Sequence, residues 1–144
     1  MENLQVTSTA EAENNGELYA TYMKSNGLPF VADEPEVVGG KNLGATPGDY
    51  LCMALASCKV ITLRMYIQRK GWKVDTIKVK VSLVTASKAV SGNNTFHSEI
   101  SVSGTLDVDQ QNRILHIAKS CPISKLLIKQ SEVVTSIVHE TPVR

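Results

Sequence analysis

Polar residues dominate positions 1–16, MENLQVTSTAEAENNG, and a loosely ordered start is expected there. Alternation begins with Leu18, Ala20 and Tyr22 set between polar neighbours, which reads as a strand. Ser25, Asn26 and Gly27 form a turn signal, and the PFVAD segment that follows reads as the return strand of a hairpin. Residues 34–48, EPEVVGGKNLGATPG, are a Gly- and Pro-rich loop. It is long for a compact domain, and such loops often carry function.

The spacing then becomes helical. Thr46 suits an N-cap, Pro47 the first helical position, and Asp49 stands three residues after the cap. The helix is expected to run to about Lys70, with Gly71 as its stop. Its apolar residues, from Leu51 and Leu55 to Tyr66 and Ile67, cover almost every face, as in a central, buried helix. A chain of 144 residues has difficulty wrapping such a helix completely, which points to a dimer.

Period two returns afterwards. Ile77, Val79, Val81 and Leu83 alternate with Lys78, Lys80 and Ser82 as a half-buried strand. Residues 91–94, SGNN, turn the chain. Phe96, Ile100, Val102 and Leu106 then share one face of a second long strand, which completes an antiparallel hairpin. Asp107 opens a helix through about Ser120, with Ile114, Leu115, Ile117 and Ala118 inward. Cys121 breaks it, because a residue before proline avoids helical geometry. A short helix, PISKLLIKQ, follows with Cys121 as its N-cap, and VVTSIVHE at 133–140 reads as a last strand. The pattern is α+β, in a single domain without internal repeats.

Charge narrows the function classes. A formal net charge of +1 gives no footprint for nucleic acid or an anionic membrane surface. Lys59 and Arg64 interrupt the longest apolar stretch, which disfavours a membrane span. The polar, acidic N-terminus lacks a charged-then-apolar leader, so a cytoplasmic protein is expected. His97, His116 and His139 are scattered, and no metal or organic cofactor is called for. The glycines of GGKNLG at 39–44 lack phosphate-loop spacing. Tyr50, Tyr66 and Trp72 read as packing, with Tyr50 also placed to line a thiol pocket.

Three cysteines without a C-x-x-C pair argue against a disulfide framework or a zinc site. Cys58 lies deep in the apolar run ALASCKVITLRMY, and Cys121 precedes a helix whose N-terminus would favour a thiolate. A thiol in an apolar pocket together with one before a helix supports redox chemistry, although core filling explains each separately. Cys52 lies six residues before Cys58, about 240° around a helix, and reads as packing.

Across residues 29 to 139 the chain resembles the OsmC/Ohr family of osmotically inducible and organic-hydroperoxide-resistance proteins. The family pattern is a loop ending in proline and a cysteine eleven residues later in a buried helix, as with Pro47 and Cys58 in ATPGDYLCMALASCK. Its second cysteine stands in a Cys-Pro-Val/Ile motif, as in CPISKLL at 121–127. The flanking segments DEPEVVGGKNLGATPGDYL, ITLRMYIQRKGW and LDVDQQNRILHIAKSCPI match an OsmC-like subgroup. The resemblance implies an intertwined homodimer, with antiparallel sheets on two long central helices and sites at the subunit interface. It also implies reduction of organic hydroperoxides, with Cys58 as the peroxidatic thiol, Cys121 as the resolving thiol and a cellular dithiol as reductant.

The chain departs from that pattern at the activating groups. Peroxidase-active members use an arginine from the N-terminal hairpin, oriented by a glutamate just after the proline. No arginine precedes Arg64 here, and Lys24 is the basic residue of the hairpin, a point charge without guanidinium geometry. Gly48 follows Pro47, so Asp49 is either a displaced orienting carboxylate or the partner of Thr46 in a capping box. Arg64 and Arg69 would serve only across a dimer interface. The competing expectations are therefore a thiol peroxidase in oxidative stress defence, a peroxidase-weak dimer that binds a small ligand or senses redox state, and a plain structural dimer.

Overall fold

The computed structural model describes residues 4–86 and 92–142, in the order β1 (Glu11–Glu13), β2 (Thr21–Ser25), β3 (Leu28–Ala32), α1 (Pro47–Lys70), β4 (Val74–Val84), β5 (Thr95–Gly104), α2 (Val108–Ala118) and α3 (Pro122–Ile128). It is a mixed α+β fold with antiparallel sheets. The residues group into two compact units, Met1–Ala56 with Lys80–Glu99, and Ser57–Val79 with Ile100–Arg144.

In the first unit, β1, β2 and β3 form an antiparallel sheet in sequence order. The expected hairpin is present, with Ser25 paired to Leu28 across a two-residue loop. Asn26 and Gly27 both have positive φ, 50° and 75°, the requirement of a type I′ turn whose twist matches the strands. The second strand starts at Thr21 rather than Leu18. Strand β1 lies within the stretch expected to be loosely ordered, and residues 1–3 of that stretch fall outside the described residues.

The loop after β3 is organised by a carboxylate. Asp33 is buried and accepts hydrogen bonds from the backbone N–H groups of Glu34 at 2.8 Å, Lys41 at 3.2 Å and Leu43 at 3.2 Å. A Cβ at Gly44 would collide with the Val31 carbonyl oxygen, so glycine is needed where the loop returns beside β3.

Helix α1 starts and stops as its sequence predicts. Thr46 Oγ1 accepts from the Asp49 N–H at 3.2 Å, and the Asp49 carboxylate accepts from the Thr46 N–H at 3.1 Å, a complete capping box. At the other end Gly71 has φ 68°, its N–H bonds Gln68 O, and the Trp72 N–H bonds Ile67 O. This is a Schellman stop, and it turns Trp72 onto the core of the second unit. Leu63, Ile67, Ile114 and Ala118 form that core, covered by residues of β4 and β5 that include Ile77, Ile100 and Val102. The alternation of β4 matches its burial, with Ile77, Val79, Val81 and Leu83 half-buried between exposed neighbours. Strand β5 pairs with β4; the turn expected at 91–94 begins at Ser91, outside the described residues. By length and composition α1 would also suit a bilayer, yet it carries the packed core residues Leu63 and Ile67 and the buried Lys59.

Helix α2 has a second capping box, between Asp107 and Gln110. The last strand expected at 133–140 is not formed. Residues 130–142 carry no strand, and Val133, Val134, Ile137 and Val138 are all at least 84% exposed. A strand needs a partner edge, and the segment pairs with none among the described residues.

Candidate functional site

The second unit brings Cys58 and Cys121 together. Cys58 lies midway along α1 and is half-buried; Cys121 is fully buried as the N-cap of α3. Cys58 is near enough to Cys121 to help lower the pKa of its thiol. Proline at the first position of α3 explains the local geometry. It holds Cys121 extended, at φ −66° and ψ 147°, while starting the helix that returns Ser124 over the sulfur. The Ser124 N–H donates to Cys121 Sγ at 3.4 Å, and Ser124 Oγ lies 3.2 Å from the same sulfur.

Lys59 completes the cluster. Its side chain is buried, and Nζ donates to the Ala118 carbonyl at 2.7 Å and to Ser124 Oγ at 3.1 Å. Burial alone would push the Cys121 thiol up. The Ser124 hydroxyl and N–H, the Cys58 thiol and the Lys59 charge outweigh it and hold Cys121 below the ordinary thiol value. The chemistry available is that of neighbouring thiols, one of which ionises more readily than an ordinary cysteine.

The other expected site residues have different surroundings. Lys24 Nζ pairs with Glu11 at 3.3 Å, and both side chains are exposed. The Asp49 carboxylate closes the capping box with Thr46. Arg64 donates to the Val74 carbonyl at 3.0 Å and the Asp75 carbonyl at 3.3 Å, where β4 begins. Arg69 lies over the Tyr66 ring, 5.5 Å from its centroid. Tyr50 donates to the Val31 carbonyl at 2.7 Å. Cys52 is a half-buried free thiol. No cluster of metal ligands occurs among the described residues.

Lys59 and Ser124 were not singled out from the sequence. A usable signal existed for Lys59, a charged residue inside an otherwise apolar buried helix, because lysine is rarely buried without a partner. Asp33 had no comparable signal, since its partners are backbone groups of a loop. A cavity of about 330 Å³ lies elsewhere in the second unit, lined by Ile100, Val102, Leu106, Gln111, Ile114 and Leu115 among others, and neither thiol lines it.

Solved structures share this fold. An OsmC like protein from Mycoplasma pneumoniae matches with TM-score 0.71 at 15% identity, over 87% of this chain and 89% of that one. An organic hydroperoxide resistance protein from Elizabethkingia anophelis, with crystallant-derived thiocyanate bound, matches with TM-score 0.62 at 23% identity, over 88% and 90%. The organic hydroperoxide resistance protein of Bacillus subtilis matches with TM-score 0.57 at 22% identity, over 84% and 90%. Comparison with curated protein sequences finds no significant match. The family model of OsmC-like protein matches residues 39–136, more than half of the sequence, and the chain therefore belongs to the OsmC-like family.

Proposed function

We propose that this protein is a cysteine-based peroxidase that reduces organic hydroperoxides, with Cys58 as the peroxidatic and Cys121 as the resolving thiol. The observation that supports the reading is a half-buried Cys58 near enough to a fully buried Cys121 to lower its pKa. A first thiol must meet substrate and a second must wait beside it, and these exposures fit that division. Oxidation of Cys58 to a sulfenic acid releases an alcohol, and condensation with Cys121 forms a disulfide and water. A dithiol reductant restores the pair, and the cytoplasm would keep it reduced between turnovers.

The working form in this reading is a homodimer of single OsmC-like domains. Cys58, Ile61 and Met65 fall on one face of α1 by their spacing, and Ile61 and Met65 are 59% and 67% exposed. A second copy over that face would cover them and give Cys58 an apolar, water-poor surrounding. Residues 133–138 would find a strand partner in the other protomer. Lys24 and Asp49 have no role in this reading.

Mass spectrometry after one equivalent of cumene hydroperoxide is added to reduced protein tests it. A loss of two hydrogens mapped to a Cys58–Cys121 disulfide is expected, together with loss of peroxide consumption in Cys58→Ser. Two thiols that stay free would remove the reading. They would favour instead a dimer that binds a small apolar ligand, for which the cavity over Ile100, Val102 and Leu106 is the supporting observation.

A further inference from the structure

The peroxidase reading leaves open what makes Cys58 reactive in a chain without an arginine before Arg64. The polar contacts of Cys121 centre on Ser124, and Lys59 stands behind it. Lys59 Nζ, an obligatory donor, gives a hydrogen bond to Ser124 Oγ at 3.1 Å. The neutral Cys121 thiol donates to Ser124 Oγ at 3.2 Å, and once that thiol is ionised the hydroxyl, still accepting from the ammonium, has its own proton free to turn to the sulfur. The Ser124 N–H points at the same sulfur from 3.4 Å. Cys121 itself has no exposure to solvent, so these donors are not replaced by water.

We propose that Lys59 is a positioning residue that acts through Ser124 to make Cys121 the thiolate of the pair, and so the base that takes the proton of Cys58. The proposal rests on the peroxidase reading for its chemistry. The groups facing Cys121 are Cys58 and Lys59 from α1 and Ser124 from α3, while α2 contributes the Ala118 carbonyl that anchors Lys59. The lowered pKa of Cys121 agrees with this arrangement: burial opposes it, and Ser124, Cys58 and the Lys59 charge bring it about.

The steps balance. Cys58 S–H passes its proton to Cys121 S⁻. The Cys58 thiolate attacks the terminal oxygen of a hydroperoxide ROOH; an S–O bond forms, the O–O bond breaks, and RO⁻ takes a proton from solvent to leave as ROH. Cys58 is now the sulfenic acid S–OH, two electrons more oxidised, and the peroxide is reduced. Cys121 S–H then attacks the Cys58 sulfur. An S–S bond forms, and the hydroxyl leaves with the Cys121 proton as water. One thiol is thus base first and resolving nucleophile second, and no external cation has to reach Cys58.

The test is a pH titration of thiolate ultraviolet absorbance in reduced protein carrying Cys52→Ser. The step at lower pH is assigned by its loss in Cys121→Ser, since the two thiols titrate as a coupled pair. Lys59→Met and Lys59→Gln are expected to move that midpoint upward by about one pH unit. Ser124→Ala is expected to move it in the same direction. Lys59→Gln keeps a donor for the Ala118 carbonyl and decides the matter if Lys59→Met does not fold. A midpoint unmoved in folded Lys59→Gln protein overturns the proposal, as does a low-pH step that survives in Cys121→Ser and disappears in Cys58→Ser. Failure of the peroxidase reading is a separate result, thiols untouched by hydroperoxide with the Lys59 shift intact.

Discussion

Lys59 Nζ meets the Ala118 carbonyl oxygen at 2.7 Å, so a side chain from the middle of α1 closes the end of α2. The last carbonyls of a helix have no partner within it, and a buried one must be satisfied from outside. Lys59→Met removes the donor and strands this carbonyl, at a cost of about 1–3 kcal/mol. Urea denaturation should show a lower midpoint with an unchanged slope. Stability within a few tenths of a kcal/mol of the parent would mean that water or another group replaces the amine.

Asp33 ties the 34–43 loop to the end of β3, and its contribution depends on pH. Burial would raise its pKa, but the N–H groups of Glu34, Leu43 and Lys41 and the Lys41 charge hold it below the usual aspartate value. The folded state therefore binds this proton less readily than the unfolded chain. Its contribution is fully present above the unfolded aspartate pKa and disappears as pH falls through the folded pKa. Thermal melts across the acid range should lose stability in that window. Asp33→Asn should melt lower near neutrality and show a flatter acid limb.

Leu63 is fully buried against Ile67, Ile114 and Ala118. Leu63→Ala removes apolar area and leaves a cavity in a contact set drawn from α1, α2 and the sheet. A loss of about 2–5 kcal/mol is expected, read from chemical denaturation. A loss below 1 kcal/mol would show that the core collapses to fill the space.

Truncation after Gln130 tests the assembly. Val133, Val134, Ile137 and Val138 are exposed in the protomer, and the proposed dimer gives them a strand to pair with. Sedimentation velocity should find the truncated chain dissociating at concentrations where the full chain is dimeric. An unchanged dimer would place the interface on α1 without a contribution from this segment.

Local chemistry made much of the fold legible. The Asn26-Gly27 turn, the Thr46–Asp49 capping box, the start of α2 at Asp107, the Gly71 stop and the alternation of β4 each depend on residues within a few positions of one another. Their conformational preferences act before any tertiary contact forms. Strand β1 was not legible for the opposite reason, because its three residues, Glu11, Ala12 and Glu13, are all exposed and carry no hydrophobic period. The segment 133–140 has strand chemistry and no strand, since pairing depends on an edge that the described residues do not offer it.

The candidate site divides along the same line. The sequence by itself determined that Cys58 would sit in a long helix and Cys121 at a helix start, because the Thr46 cap, the Gly71 stop and the following Pro122 decide both; the burial expected of that helix is partial, with Leu51, Met53, Ile61 and Met65 exposed. Tertiary structure alone decided that Lys59 reaches Ser124 and lowers the pKa of Cys121 within the second unit. Lys59 and Ser124 are 65 residues apart. No local preference joins groups so separated; they meet because packing of Leu63 and Ile67 against Ile114 and Ala118 sets α1 beside α2, and Pro122 then starts α3 at that junction.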